Sequence, residues 1–286
     1  MFEYARPDSV SEALVLLRDV PGARLLNGGT DLLVGLRKGT LRPPLVVDLK
    51  RAADLAQGIE ERDGMLRISA TTPLTQVIGD ERVRTHFPAL VEAAQVVGSI
   101  QIRNRATLAG NVCNASPAAD TATPLLVYDA VVVVEGTTGQ RRIPLDDFFV
   151  GPGRTALAAG ELVTAIELPL PAERIGAAFA RMTRRRGVDL ATVNLCCAVS
   201  SRGATRFAFG AVGPRPFIVT DESGLLADPA VTAEAQEGAL HRLTDRATPI
   251  SNVRASREYR ERMLFVLSRR ALERARTTVA GHRHAG

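Results

Sequence analysis

The sequence runs to 286 residues, 45% of them hydrophobic and 23% charged, and it carries 36 Lys and Arg against 31 Asp and Glu. That is chain enough for about two ordinary domains, each with its own core, and it excludes collagen, coiled coil and disorder as descriptions of the whole. The net charge of +5 permits an anionic partner without demanding one.

In chain order, residues 9–19 set Val10, Ala13, Leu14, Leu16 and Leu17 at helical spacing, with Asp8 or Ser9 as cap. Residues 23–26 read as a short strand, Gly28 and Gly29 as a turn, and 31–37 as one or two helical turns. Residues 45–49 (LVVDL) read as a buried strand, so the first lobe is β-α-β-like. A second region starts near Leu55. Asp63-Gly64 is a hairpin signal between strands at 59–62 and 65–69. Thr72-Pro73 and Phe87-Pro88 each open a helix. A short helix at 124–129, a core strand at 130–135 (AVVVVE) and a closing strand at 160–169 complete this region. Beyond Ile175, the segments 177–183, 191–200 and 204–212 read as a three-stranded meander, followed by helices at 232–244 and 258–275. The second of these puts Tyr259, Met263, Val266, Leu267 and Ala271 on one face. The expected class is α+β: a two-lobed unit over 1–172, with lobes at about 1–54 and 55–172, then a smaller unit over 173–286.

Cys113, Cys196 and Cys197 are too few for a disulfide framework or for the four thiolates of an iron–sulfur cluster. Cys113 reads as a small buried residue, and Cys196 and Cys197 read as core. None of the four histidines stands at zinc spacing from Cys or acid, and His282 and His284 read as a disordered tail. The N-terminus has no basic and apolar signal regions, and no apolar run approaches the ~20 residues of a membrane span. The expected compartment is the cytoplasm.

Two segments carry the chemistry. In 25–33 (LLNGGTDLL), Gly28 and Gly29 let the backbone turn tightly and approach another group closely. The amides of Gly28, Gly29, Thr30 and Asp31 could then converge on an anion, phosphate above all; a plain tight turn is the alternative. Residues 98–120 (GSIQIRNRATLAGNVCNASPAAD) show no aliphatic periodicity, so no regular element is expected there, and long irregular segments in compact domains are usually functional. Thr107, Asn111, Asn114 and Ser116 offer neutral hydrogen-bonding groups, and Ala109 and Gly110 allow close approach. Asp120 is either an acceptor for ribose hydroxyls or a helix N-cap.

Two further patterns are decoys. Residues 151–156 (GPGRTA) satisfy G-x-G-x-x-[GA], but Pro152 and the expected absence of a βαβ unit argue against a dinucleotide fingerprint. Arg184, Arg185 and Arg186 read as a solvated face; with aromatics at 4% and no Trp, stacking platforms for nucleic acid are poorly supplied.

Six blocks in order, LLNGGTDLL, GSIQIRNRATLAGNVCNASPAADTATPLL, GELVTAIELP, AFARMTRRRGVDLATVN, FAFGAVGPRPF and PISNVRASREYRERMLFVLSRRAL, resemble the FAD-binding medium subunit of molybdenum hydroxylases. This is the carbon monoxide dehydrogenase and xanthine dehydrogenase family, and the resemblance covers about residues 1–277. It implies a two-lobed, PCMH-like FAD-binding domain followed by a small C-terminal domain, with FAD extended between the lobes. It implies cofactor contacts from Leu25, Asn27, Gly28, Gly29, Thr30, Asp31 and Leu32 in the first loop. In the second loop it implies Ala106, Thr107, Ala109, Gly110, Asn111, Cys113, Asn114, Ser116 and Asp120. Val163 matches a position on the adenine side, and Asp189 and Leu190 match positions beside the isoalloxazine.

The sequence departs from the family pattern at Ala109, usually Gly, at Asn27, often a small residue, and at Arg181, often Lys. Arg is not an equivalent of Lys beside a cofactor. No residue of this chain is expected to be catalytic toward the organic substrate, and no metal is expected on it. The implied role is electron transfer from [2Fe–2S] clusters on a small subunit, which serve a molybdenum-containing large subunit, through FAD to NAD, oxygen or another acceptor. In that setting the Arg184–Arg186 run would attract an anionic acceptor such as NAD. A standalone FAD-dependent oxidoreductase, acting directly on a small organic substrate, is the alternative, and a flavin-free binding protein is a third.

Overall fold

The computed structural model describes residues 2–281; His282 and His284 lie outside the described residues. The first lobe holds β1 (Glu3–Ala5), α1 (Val10–Asp19), β2 (Arg24–Leu26), α2 (Leu32–Lys38) and β3 (Leu45–Asp48). Its three strands are parallel in the order β1-β3-β2. Helix α1 starts where Ser9 Oγ accepts the Glu12 amide at 3.2 Å, and it buries Val10, Ala13 and Leu14 against Val47 and Leu49.

The second lobe is built on a five-stranded antiparallel sheet. Its strands are β4 (Ile59–Arg62), β5 (Met65–Ser69), β6 (Val131–Gly136) and β7 (Gly139–Pro144), with β8 (Phe149–Gly151) and β9 (Arg154–Thr155) forming a separate hairpin, and β10 (Leu162–Pro169). The sheet order is β4-β5-β10-β6-β7, so the apolar strand β10 lies at its centre. Between β5 and β6 come α3 (Leu74–Gly79), α4 (Glu81–His86), α5 (Pro88–Gln95), α6 (Ile100–Arg103), α7 (Leu108–Cys113) and α8 (Ala122–Val127); α9 (Leu145–Phe148) follows β7. These helices cover one sheet face, and Leu66, Ile68, Leu90, Leu108, Leu125 and Ile166 are fully buried in one core. On the other face Glu167 sits buried between Arg67 at 2.9 Å and Arg142 at 2.9 Å, the paired geometry that a buried carboxylate requires. The GPGRTA segment lies in the β8–β9 hairpin, without the strand-to-helix turn that a dinucleotide fingerprint requires.

The C-terminal unit is a four-stranded antiparallel meander, β11 (Ile175–Met182), β12 (Val193–Ser200), β13 (Thr205–Gly210) and β14 (Phe217–Thr220), backed by α10 (Ala233–Thr244) and α11 (Arg257–Gly281). The sequence predicts three strands. The fourth, β14, is a short edge strand just past Pro214 and Pro216 with no buried residue, so neither length nor hydrophobic alternation marks it. Helix α11 buries Leu264, Leu267, Ala271 and Leu272, whereas Tyr259, expected on that face, is 44% exposed. Cys196 and Cys197 are fully buried, as expected of core residues.

Candidate functional site

The first loop leaves β2 at Leu26 and enters α2 at Leu32. Gly28 is pressed face to face on residues 105–106: a Cβ there would collide with the Arg105 carbonyl and come within 2.9 Å of Ala106 Cα. Gly29 has φ +76, a conformation that a side chain would strain. No acceptor for the amides of Gly28, Gly29, Thr30 or Asp31 is found among the described residues. The Asn27 amide group donates to Ala70 O at 3.2 Å, tying the two lobes, while its Oδ1 is buried without a partner. Lys50 donates to Asn27 O at 3.4 Å and pairs with Asp48 at 2.6 Å.

The second segment is ordered where none was expected. Two short helices occupy it, each started by a hydroxyl cap: Ser99 Oγ accepts the Ile102 amide at 3.4 Å, and Thr107 Oγ1 accepts the Gly110 amide at 2.9 Å. The segment is stitched to the lobe by Leu74 N donating to Ala106 O at 2.8 Å and by an isolated bridge between Pro73 and Thr107. Leu108, Ala109 and Val112 are buried in the core beneath it. Thr121 Oγ1 donates to Asn111 Oδ1 at 2.7 Å, and Ser116 Oγ accepts the Ala118 amide at 3.3 Å. Asn114 caps the C-terminal end of α7. Cys113, expected to be buried, is only partly so, and desolvation of its thiol pushes it up to about 12.

Asp120 is not a helix cap. Thr121 holds the N-cap position of α8, and Asp120 faces the C-terminal sheet instead. It accepts from Arg181 Nη1 at 2.8 Å and from Asn194 Nδ2 at 3.1 Å. Burial lifts its carboxyl to about 6 against the pull of Arg181 and Asn194. The same junction holds two non-glycine residues in the left-handed region, Ala115 (φ 45) and Ala211 (φ 62). Ala115 O accepts from Gly153 N at 3.0 Å and Ala211 N donates to Pro117 O at 2.6 Å. Such conformations persist only where the surroundings fix them.

The structure therefore joins the two predicted loops and links the second to Arg181. Val163 is buried on β10 in the same core as Leu108, Ala109 and Val112 of the second segment. Asp189 and Leu190 lie on the β11–β12 connection, where Asp189 Oδ1 accepts the Leu190 amide at 3.0 Å and Arg184 at 3.4 Å, and Asp189 Oδ2 is buried without a partner. Arg184, Arg185 and Arg186 are all exposed, and Arg185 donates to Val188 O of the same loop at 2.9 Å. Asn194 is a site residue that sequence reading missed: its place within a buried strand pattern hid an amide that holds Asp120. Arg105 was also missed, although it adjoins Ala106 and lines a cleft with Gly28, Gly29 and Thr30.

Comparison with known proteins places the whole chain. Residues 1–171 match the model for the FAD binding domain in molybdopterin dehydrogenase, and residues 177–275 match the carbon monoxide dehydrogenase flavoprotein C-terminal domain. The chain is 33% identical to the xanthine dehydrogenase FAD-binding subunit of Escherichia coli O157:H7, covering 98% of this chain and 99% of that one. It is 31% identical to the carbon monoxide dehydrogenase medium chain of Hydrogenophaga pseudoflava, covering 96% of each. Among solved structures, a carbon monoxide dehydrogenase from the same organism superposes with a TM-score of 0.89 at 30% identity, covering 96% of each chain.

Proposed function

The chain belongs to the FAD-binding medium subunits of the molybdenum hydroxylases, and we propose that residues 27–31 and 106–120 hold the FAD between them. It is the FAD subunit of a molybdenum-containing dehydrogenase, a medium subunit in a multi-subunit complex of the carbon monoxide dehydrogenase type. Among the described residues no helix is long and apolar enough to cross a membrane.

The observation that carries the site assignment is the contact of Gly28 with Arg105 and Ala106, which brings a loop of unpaired amides against a capped, core-anchored segment. The residues fit the cofactor. A diphosphate needs converging donors, and the amides of Gly28 to Asp31 are such donors. Asn27 Oδ1 is an acceptor in want of a hydroxyl or amine proton. Asp120 is fixed by Arg181 and Asn194 and presents a further acceptor for a cofactor hydroxyl. Leu190, 48% exposed, is an apolar surface for one face of a flat ring. Bound there, FAD supplies a redox centre that takes electrons singly and delivers one or two.

In this reading the small [2Fe–2S] subunit supplies the electrons, the large molybdenum subunit performs the hydroxylation, and NAD, oxygen or another acceptor removes the electrons. An anionic acceptor would meet the 184–186 loop, where Arg184 and Arg185 are engaged within the loop and the exposed Arg186 has no hydrogen-bond partner among the described residues. The test is the visible absorption spectrum of the purified protein and the identity of the cofactor it releases on denaturation. FAD is expected; a colourless protein that takes up no added FAD overturns the assignment.

A further inference from the structure

Helix α11 buries the charged residue Arg260, which is 3% exposed. Among the described residues its guanidinium meets three oxygens and no carboxylate. Nη1 donates to Thr192 O at 2.6 Å and to Ala211 O at 3.0 Å, and Nη2 donates to Asn252 Oδ1 at 2.9 Å. A buried cation without a counter-ion is costly, and an apolar residue of similar volume is often as stabilising in its place or more so. Leu264, Leu267, Ala271 and Leu272 already seat the helix on the sheet. The reason for a guanidinium here lies with its partners. Ala211 is held in the left-handed region at φ 62; its carbonyl accepts from Arg260, and its amide donates to Pro117 O at 2.6 Å, inside the second loop. Thr192 ends the β11–β12 connection two residues past Leu190, and its amide closes that connection on Met182 O at 2.8 Å.

We propose that Arg260 is a positioning residue for the flavin site: its Nη1 clamps together the Ala211 turn, which supports Pro117 of the second loop, and the end of the connection that carries Leu190. The proposal rests on the functional reading above. None of the three partners of Arg260 is a residue assigned to FAD, so it acts through them, from behind both segments. A planar fork holds several acceptors at fixed angles, which the single ammonium of a lysine does not. The left-handed conformation of Ala211 costs free energy by itself. Without the clamp that turn relaxes, and the support of Pro117 goes with it.

The test titrates FAD into the flavin-free full chain and its variants and records the visible circular dichroism of the bound flavin, which reports the surroundings of the ring. Arg260→Met removes the clamp at similar volume and is expected to weaken FAD binding at least about tenfold and to change the dichroism. Arg276→Met is the matched control. Arg276 lies on the same helix, about 24 Å further along at ~1.5 Å per residue, and donates to Leu226 O at 2.8 Å and Asp228 O at 2.9 Å. Its loss is expected to lower the melting temperature, with FAD affinity within about twofold of wild type and the dichroism unchanged. Adding Ala211→Gly to Arg260→Met lets the turn keep its φ without strain and is expected to recover at least about threefold in affinity. Should Arg260→Met fold poorly, Arg260→Lys keeps the cation, loses the fork and is expected to weaken FAD binding several-fold. Wild-type affinity and dichroism in the Arg260 variants would remove the positioning role and leave the cofactor assignment standing. An equal loss in Arg276→Met, or no recovery with Ala211→Gly, would overturn the role too. A wild-type chain that takes up no FAD would overturn the functional reading itself, and the role with it.

Discussion

The two loops that meet at Gly28 are built on opposite plans. Residues 98–120 carry their own hydroxyl caps, bury Leu108, Ala109 and Val112, and are bound to the C-terminal sheet through Asp120. The backbone amides of residues 28–31 find no acceptor among the described residues, and the loop leads into a helix with no buried residue. The second loop is a wall whose shape is set by the core before any ligand arrives. The first is an edge whose donors and apolar side chains are completed by something from outside. Preorganising one side lowers the ordering cost of binding, and leaving the other open gives the ligand a way in.

The contrast breaks most sharply at the point of contact. Gly28→Val drives a branched side chain into the Arg105 carbonyl, and backbone cannot move aside as a flexible side chain can. We expect FAD affinity to fall by more than about 100-fold, which corresponds to roughly 3 kcal/mol. Gly79→Ala, where an added methyl meets nothing within 4 Å, is the matched control and should bind FAD as wild type does. Flavin titration followed by fluorescence reads both. Equal affinities would mean that the loops do not form one cradle.

The wall should fail next at its anchor. Asp120→Ala leaves the Arg181 guanidinium, only 14% exposed, without its carboxylate, and removing one partner of a buried pair typically costs about 3–5 kcal/mol. Denaturant unfolding of the chain measures it. The same anchor makes stability depend on pH. Burial raises the Asp120 carboxyl from 3.8 to about 6, so the folded chain holds this proton more tightly than the unfolded chain. Its contribution is therefore full below 3.8 and is lost as pH rises through about 6. Melting temperatures of wild type minus those of Asp120→Asn, measured on flavin-free protein, should fall between pH 4 and 6.5 and level off above. A flat difference would show that this carboxyl does not titrate there.

A smaller effect belongs to the cap. Thr107→Ala removes the acceptor for the Gly110 amide, and loss of such a cap typically costs about 1 kcal/mol. Denaturant unfolding of the variant beside wild type measures it.

Much of this contrast was legible in the sequence. The Gly-Gly turn, the AVVVVE and ELVTAIELP strands and the Ser9 start of α1 were marked by local chemistry that the tertiary structure keeps. The short helices α6 (IQIR) and α7 (LAGNVC) were hidden because four and six residues are too few to show a hydrophobic period, although Ser99 and Thr107 were cap signals in plain view. The anchor was hidden for another reason. Asp120 meets Arg181 and Asn194 across 61 and 74 residues of chain, and only the closure of the meander brings them together. The edge strand β14 lacked both length and burial, so its pairing with β13 rests on backbone hydrogen bonds that composition does not record.

The last test bears on the departure that the sequence made most conspicuous. Ala109 departs from the pattern that the sequence resemblance implies, and its methyl would matter to the cofactor if it faced the loop. The structure buries it, 1% exposed, in the same core as Leu108 and Val112. Ala109→Gly should therefore act on the wall and not on the ligand. The helix loses about 0.5–1 kcal/mol through added backbone freedom, and the missing methyl adds a loss of about 0.8 kcal/mol from burial. Flavin affinity should stay within twofold of wild type. Unfolding and flavin titration on the same preparation separate the two. A several-fold gain in FAD affinity would mean that the methyl reaches the cofactor, and that the second loop adjusts to its ligand as the first one does.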